Sequence, residues 1–263
     1  MKNKTIKTRD SRYFPLSLII MLALIVISAS CSGKKDIRPE GAFNPEKTFN
    51  KANELIDKKE YEDARKLLLE VKNRDVTKKY APLAQLKIAE SYTREQEYDP
   101  SIEEYRNFLA MYPDHSYASY AQYQVAMNYF VQIESPDRGF GAASRALVEF
   151  EKLRVMFPRN PYKEAIELRI EKCRDTIAGY EFLVAEYYYK KGSYSSALRR
   201  LQTLLTKFPD YKKEPEVLYL LGLSHKKLGN KEMAIEYFKR LLEKYPNDKI
   251  IKDATKELSS LTK

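Results

Sequence analysis

Residues 221–246 read LGLSHKKLGNKEMAIEYFKRLLEKYP, two amphipathic helical patterns separated by a glycine and closed by an aromatic residue and a proline. Proline cannot continue a helix, because it lacks the amide donor and clashes with the preceding turn. The same ending recurs at Tyr112-Pro113, Phe157-Pro158 and Phe208-Pro209. A helical pattern that ends repeatedly in the same way indicates a repeat protein.

The repeat matches the tetratricopeptide (TPR) template, which has two antiparallel helices in about 34 residues and a proline near position 32. With Pro246 at position 32, Gly222 falls at position 8, where the helices cross closely, and Phe238 falls at position 24 in the shared core. The repeats that end at Pro113 and Pro209 fit the template without gaps. We therefore predict an all-α fold, an α-solenoid of about five TPR helix-turn-helix repeats over residues 45–263.

Two irregularities modify this pattern. The third repeat is eight residues too long, and we place the insertion between Val131 and Ala143, where prolines and glycines interrupt the helical pattern. The stretch from Pro161 to Lys190 has no internal proline and predicts one long helix joining the third and fourth repeats. The predicted segments are repeats at 45–78, 82–115, 119–160, 178–211 and 215–248, a linker helix at 161–177 and a C-terminal helix at 249–262.

The N-terminus has the pattern of a secretory signal. Several basic residues precede an apolar run, Leu16–Ile27, which at 12 residues is shorter than the roughly 20 needed to span a bilayer. The small residues directly before Cys31 resemble a bacterial lipobox. We predict a lipoprotein signal peptide at 1–30, acyl chains on Cys31 and a flexible tether at 31–44, with plain secretion as the alternative.

The residue after Cys31 and the distribution of charge predict where the protein is located and which class of partner it does not bind. Ser32, rather than an aspartate, follows the predicted lipidated cysteine, which predicts an outer-membrane location on the periplasmic side. Removing residues 1–30 takes away five basic residues and one acidic residue, lowering the formal charge from +10 to +6. Lysine and glutamate alternate along the rest of the chain, so no nucleic-acid partner is expected.

No residue pattern suggests catalysis. The two histidines, His115 and His225, have no nearby ligand or nucleophile pattern, and Cys173 is the only cysteine besides Cys31. Phosphate-binding loops, zinc motifs and nucleophile elbows are missing from the sequence. We therefore expect a protein that is not an enzyme and that uses no cofactor and no metal.

TPR stacks usually bind peptides along a concave groove lined by the first helix of each repeat. Template positions that face this groove select aromatic, apolar and polar side chains in the N-terminal half, and Arg94 lies one turn from one of them. The predicted peptide-groove residues are Phe49, Asn53, Leu86, Glu90, Arg94, Tyr123, Met127 and Phe130. The alternative is that these rings belong to the ordinary core between repeats.

The segment from Tyr98 to Asp210 carries more specific motifs than a generic repeat. They are Tyr105-x-x-Phe108 with Tyr112-Pro113, Ala118-x-x-Ala121-x-Tyr123-x-x-Ala126, Asp137-Arg138, Phe150-x-x-Leu153, Phe157-Pro158, Tyr162, Ile170-x-x-Cys173, Glu181-x-x-Val184-Ala185-x-Tyr187-Tyr188 and Gly192-x-Tyr194-x-x-Ala197. In these motifs the chain resembles the BamD family, the lipoprotein of the outer-membrane β-barrel assembly machinery.

This resemblance implies a non-catalytic scaffold. Its C-terminal repeats would bind the periplasmic domains of the central barrel component, its N-terminal repeats would receive unfolded outer-membrane proteins, and other lipoproteins would join the complex. Arg199 and Arg200 are the predicted docking residues, because a guanidinium can donate two parallel hydrogen bonds to a partner carboxylate. The alternative is that the two arginines lie on a helix face that contacts only solvent. The alternative function is a different envelope TPR lipoprotein that organises cell-wall or secretion machinery.

Overall fold

A computed structural model of the chain describes residues 43–263, and this part is helical throughout, without a strand. The predicted signal peptide, Cys31 and all but the end of the predicted tether lie outside the described residues. The eleven helices of the described part are α1 (Pro45–Asp57), α2 (Tyr61–Arg74), α3 (Ala81–Arg94), α4 (Tyr98–Met111), α5 (Ala118–Phe130), α6 (Pro136–Met156), α7 (Lys163–Lys190), α8 (Tyr194–Lys207), α9 (Glu214–Lys227), α10 (Lys231–Lys244) and α11 (Ile251–Thr262). Each helix packs against its neighbours in the chain. The predicted all-α TPR-like fold is confirmed.

The turn between the two helices of a repeat uses one backbone conformation. The residue at template position 15 has a positive φ in four repeats: 65° at Lys59, 63° at Gln96, 79° at Gly192 and 78° at Gly229. Glycine adopts this left-handed conformation without a steric cost, whereas the first two repeats place long side chains there. In the third repeat the chain instead continues through Ile133 to the start of α6.

Small residues at template position 8 allow the helices of a repeat to approach closely. Ala52, Ala89, Ala126, Ala185 and Gly222 occupy this position, and all are buried. The position that faces them in the second helix holds large side chains that are at most 1% exposed: Leu68, Tyr105, Phe150, Leu201 and Phe238. The large side chains thus fill the space that the small residues leave between the two helices.

Two helices are longer than the others. Helix α6 has 21 residues instead of the 14 that are common in this chain, and it begins at Pro136, inside the predicted insertion. Helix α7 has 28 residues and runs without a break through the stretch where the sequence predicts a long helix. Its first half packs on α6 and its second half pairs with α8. Within residues 43–263, no helix combines the length and the apolar composition that crossing a bilayer requires.

Candidate partner-binding surfaces

The predicted groove residues of the first two repeats differ in exposure. Phe49 is half-buried, with its ring centroid 5.6 Å from that of Tyr80, and Asn53 is also half-buried. Leu86 is only 5% exposed and packs in the core around Tyr105 and Val125. It therefore supports the surface from below and is not open to a ligand.

Glu90 is held by neighbouring side chains. Its carboxylate accepts hydrogen bonds from Lys87 Nζ at 2.6 Å and from the Tyr120 hydroxyl at 2.9 Å. Burial, followed by the charge of Glu90, raises the pKa of Tyr120 to about 12, so the phenol keeps its proton and remains a donor. Arg94 lies exposed at the end of the same helix, α3. The polar part of the predicted groove thus has a fixed carboxylate and an exposed guanidinium.

Two of the three predicted groove residues of α5, Tyr123 and Phe130, lie against one cation. Tyr123 stacks on Tyr162 with ring centroids 4.2 Å apart. The Arg169 guanidinium lies 5.7 Å from the centre of the Tyr123 ring and 5.8 Å from that of Phe130, within range of cation–π attraction. Met127 packs against the same core cluster, and all three groove residues remain half-buried. The first half of α7 therefore covers part of this aromatic track.

Arg199 and Arg200, the predicted docking residues, lie on α8 and are both exposed. Arg200 Nη1 donates to Glu181 Oε2 at 2.7 Å, and this bond is the main cause of the raised pKa of Arg200. Arg199 makes a long contact of 3.5 Å from Nη2 to Ser196 Oγ. The two arginines line one side of a surface cavity of about 350 Å³, together with Lys207.

The ion pair between Arg200 and Glu181 has counterparts in the preceding repeats. At the same two template positions, Gln122 Nε2 donates to the backbone oxygen and, at 2.8 Å, to the carboxylate of Glu149. Gln85 donates in the same way to Glu104. In the fourth repeat the first helix carries the carboxylate and the second carries the donor. Sequence reasoning did not single out Glu181 as the partner of Arg200, although the repeat register places Glu181 at the same template position as Gln85 and Gln122.

The cysteine and the two histidines of the described residues are buried or packed against aromatic rings. Cys173 is fully buried, and burial raises the pKa of its thiol to about 12. The imidazole of His115 stacks on Tyr117 at 5.6 Å, and that of His225 stacks on Tyr237 at 5.4 Å. Among residues 43–263, no group of His, Cys, Asp and Glu side chains is arranged to hold a metal ion.

Helix pairs that follow one another in TPR register define a TPR-like repeat protein. The chain belongs to the outer membrane lipoprotein family YfiO, whose family model matches residues 42–237. This confirms the family that the sequence motifs indicate.

Relatives over nearly the whole chain carry the name outer membrane protein assembly factor BamD. The relative from Neisseria meningitidis serogroup A is 26% identical over 249 residues, which cover 91% of this chain and 93% of the relative. The relative from Rickettsia prowazekii is 26% identical over 238 residues, covering 89% and 92%. That from Vibrio cholerae is 22% identical over 245 residues, covering 89% and 99%.

Similar solved structures are also TPR proteins. A thermophilic TPR protein of Thermus thermophilus has a TM-score of 0.34 and 17% identity, covering 83% of this chain and 99% of that one. The TPR2AB domain of yeast Sti1 has a TM-score of 0.46 and 12% identity, covering 83% of each chain.

Proposed function

We propose that this protein is an outer membrane protein assembly factor, a non-catalytic scaffold that helps β-barrel proteins to fold and insert. The observation that carries this proposal is the match to relatives of that name over about nine-tenths of both chains. Membership of an outer membrane lipoprotein family supports the location. The scaffold would act through binding alone, using the conformational changes of its partners.

The location follows from the proposed lipid anchor. Acylation of Cys31 would hold the protein on the periplasmic side of the outer membrane, since each buried methylene adds about 0.8 kcal/mol and several chains make attachment stable. The tether at 31–44 would separate the anchor from α1. The helical repeats would then face the periplasm, where unfolded barrel precursors arrive.

The central barrel component would dock its periplasmic domains at Arg199 and Arg200. Arg200 is 44% exposed in its side chain although it is paired with Glu181. A guanidinium has five N–H donors in a planar fork, so a partner carboxylate can bind to Arg200 while Glu181 stays in place. Other lipoproteins of the complex would join this assembly.

Unfolded outer-membrane proteins would bind to the N-terminal repeats. Phe49 and the cluster of Tyr123, Met127 and Phe130 offer half-buried rings and an adaptable thioether, which suit the side chains of an extended precursor segment. Asn53, Glu90 and Arg94 would supply polar contacts to its backbone and charged groups. Leu86 contributes only the packing beneath this surface.

The test is affinity purification of the lipidated protein from native outer membranes in mild detergent, followed by mass spectrometry. We expect recovery of a large outer-membrane barrel protein that carries periplasmic repeat domains. Recovery of cell-wall synthases or a secretion channel without such a barrel protein would overturn the proposal. It would instead favour a different envelope scaffold.

A further inference from the structure

The loop between the first and second repeats exposes an apolar side chain at its tip. Helix α2 ends at Arg74 and α3 begins at Ala81. Between them Val76 is 93% exposed, more than any other large apolar residue of the described chain. We call residues 75–80 the first-repeat loop. Single exposed apolar residues are common on protein surfaces, so this exposure carries weight only through the groups that surround Val76.

The first-repeat loop is held in one conformation by Asp75. Its carboxylate is buried and accepts hydrogen bonds from the Thr77 hydroxyl at 2.6 Å and from the backbone amides of Tyr80 and Ala81 at 2.6 and 3.0 Å. Burial acts to raise the pKa of Asp75, but these hydrogen bonds outweigh it and keep the pKa below its usual value. A loop that is fixed in this way loses little conformational freedom when it binds.

Two adjacent lysines give the outer surface of the loop a positive charge. Lys78 and Lys79 are exposed, and neither has a carboxylate within ion-pair distance among residues 43–263. The Lys79 ammonium group lies 5.1 Å from the centre of the Tyr80 ring. Asp75, the one acidic residue of the loop, is directed inward to backbone amides. The exposed part of the loop therefore carries two uncompensated cations beside an apolar tip.

The first-repeat loop lies at the edge of the repeats where the chain enters them. The ring centroid of Tyr80 is 5.6 Å from that of Phe49 near the start of α1, so the loop borders that end of the helix. Pro45, the first residue of α1, follows Cys31 by 14 residues. A flexible chain of this length has a root-mean-square end-to-end distance of about 20 Å. Acyl chains on Cys31 would therefore hold the loop within reach of the membrane surface.

We infer that the first-repeat loop rests on the anionic phospholipid surface of the membrane that holds the acyl chains, with Lys78 and Lys79 on headgroup phosphates and Val76 at the boundary of the acyl region. An anionic lipid surface attracts the lysines, and the contact removes the valine from water. An acidic protein segment would also match the lysines, but Val76 is the only exposed apolar residue of the loop and forms no patch for a folded partner. A bilayer accepts a single protruding side chain, because lipid molecules rearrange around it.

The contact would determine orientation and not location. Two lysines and one valine are too few to hold a protein at a membrane without acyl chains. With the acyl chains in place, the loop would fix which edge of the first repeat faces the bilayer. The inference rests on the proposed lipid anchor for the presence of the membrane, and on the loop itself for its chemistry.

The experiment places an environment-sensitive fluorophore at Val76→Cys in the full lipidated protein. Acylation occupies the thiol of Cys31, and burial raises the pKa of the Cys173 thiol to about 12, so the introduced thiol is the one that reacts. The purified protein is reconstituted with anionic vesicles of phosphatidylglycerol and phosphatidylethanolamine, or with neutral vesicles of phosphatidylcholine. We expect the emission to rise at least about twofold in the anionic vesicles only. An equal rise in the neutral vesicles would contradict the role of the lysine charges and overturn the inference.

Val131→Cys is the matched control for the fluorophore. Val131 is 50% exposed and directly follows α5, the first helix of its repeat, so it lies at the opposite edge from the first-repeat loop. Its emission should be the same with and without vesicles. An equal rise at both positions would show that the fluorophore itself binds to lipid, and would overturn the inference.

Charge reversal tests the lysines of the loop. Lys78→Glu combined with Lys79→Glu should reduce the rise at Val76→Cys at least about fivefold, and a rise that this pair does not lower would overturn the inference. Lys58→Glu combined with Lys59→Glu is the control and should leave the rise unchanged. These two lysines are also adjacent and exposed, and Lys59 has a φ of 65° against 54° at Lys78, but they lie at the other end of α2. Circular dichroism and thermal melting check that all variants fold.

Flotation of the vesicles distinguishes failure of the loop contact from failure of the proposed function. Protein that floats without a rise at Val76→Cys would keep its lipid anchor and contradict the membrane contact of the loop. Protein that does not float would contradict both the anchor and the loop contact. The expected rise in a protein that purifies with cell-wall synthases, and not with a barrel protein, would support the loop contact and contradict the proposed function.

Discussion

Arg200 Nη1 lies 2.7 Å from Glu181 Oε2, and this pair occupies the positions that Glu149 and Gln122 hold in the preceding repeat. The hydrogen bond between the two helices is kept while the carboxylate and its donor exchange places. As a result, the exposed second helix of the fourth repeat carries a cation where the third repeat has a buried carboxylate. The internal contact and the outward charge of Arg200 can therefore be tested separately.

The buried carboxylate of the third repeat should contribute to stability. Glu149 is 7% exposed and accepts bonds from Gln122 and Arg106. We expect Glu149→Ala to lower the free energy of unfolding by about 2 kcal/mol, because Arg106 loses its carboxylate partner and Gln122 keeps only the backbone oxygen as acceptor. Urea denaturation measures this loss. Lys152→Ala on the exposed face of α6 should change stability by less than about 0.5 kcal/mol, and equal effects of the two substitutions would contradict the assignment.

Replacing each of two helical glycines with alanine should change the stability of the protein in opposite directions. A β-carbon on Gly222 would lie 2.6 Å from Phe238 Cε1, so Gly222→Ala must displace a buried ring and should cost about 1–3 kcal/mol. A β-carbon on Gly141 would meet no atom within 4 Å, and Gly141→Ala should stabilise by about 0.5–1 kcal/mol through helix propensity. Thermal melting of both variants checks the signs. A stabilised Gly222→Ala would show that the helices of the last repeat are not in such close contact.

Stability should depend on the protonation of His225. Burial lowers the pKa of this histidine below 6.5, although the charge of Glu236 opposes the shift. The unfolded chain then binds the proton more tightly than the folded chain, so this contribution to stability is complete above about pH 6.5 and is lost as the pH falls below that value toward the lower pKa of the folded chain. His225→Phe should reduce the fall in melting temperature between about pH 7.5 and pH 5.5 by a few degrees. An unchanged fall would contradict this account.

The lipid anchor is tested by cell fractionation. Cys31→Ser removes the thiol that would carry the acyl chains, so the protein should move from the outer-membrane fraction to the soluble periplasmic fraction. Cys173→Ser, at the buried cysteine of α7, is the matched control and should stay with the membrane. Retention of Cys31→Ser in the membrane fraction would show that another contact holds the protein there.

The fold could be predicted largely because its determinants are local in sequence. The prolines fix the repeat register, and the register places alanine or glycine at position 8 and a large residue opposite, as the structure has them. The proline-free stretch before Lys190 likewise predicts the single long helix. The turns at Lys59 and Gln96 take the left-handed conformation without glycine, because the packing of the flanking helices determines it.

The surfaces were harder to predict because they depend on contacts between distant segments. Tyr123 is partly covered by Tyr162, which directly precedes the long helix α7, and by Arg169, which lies in that helix. Both residues lie outside the repeat template. Leu86 occupies a template position that faces the groove, yet neighbouring helices bury it. The partner of Arg200 is Glu181, which is 19 residues away on the other helix of the repeat.

The most direct test of the proposed docking compares Arg200→Gln with Glu181→Gln in purifications from native outer membranes. Arg200→Gln leaves a glutamine facing Glu181, the same kind of hydrogen-bonded pair that Gln122 and Glu149 form, but removes the cation. The account predicts that Arg200→Gln folds normally and recovers at least about tenfold less of the barrel component, whereas Glu181→Gln recovers it fully. Recovery by Arg200→Gln at the wild-type level would show that Arg200 serves only the internal pair, and would contradict the account.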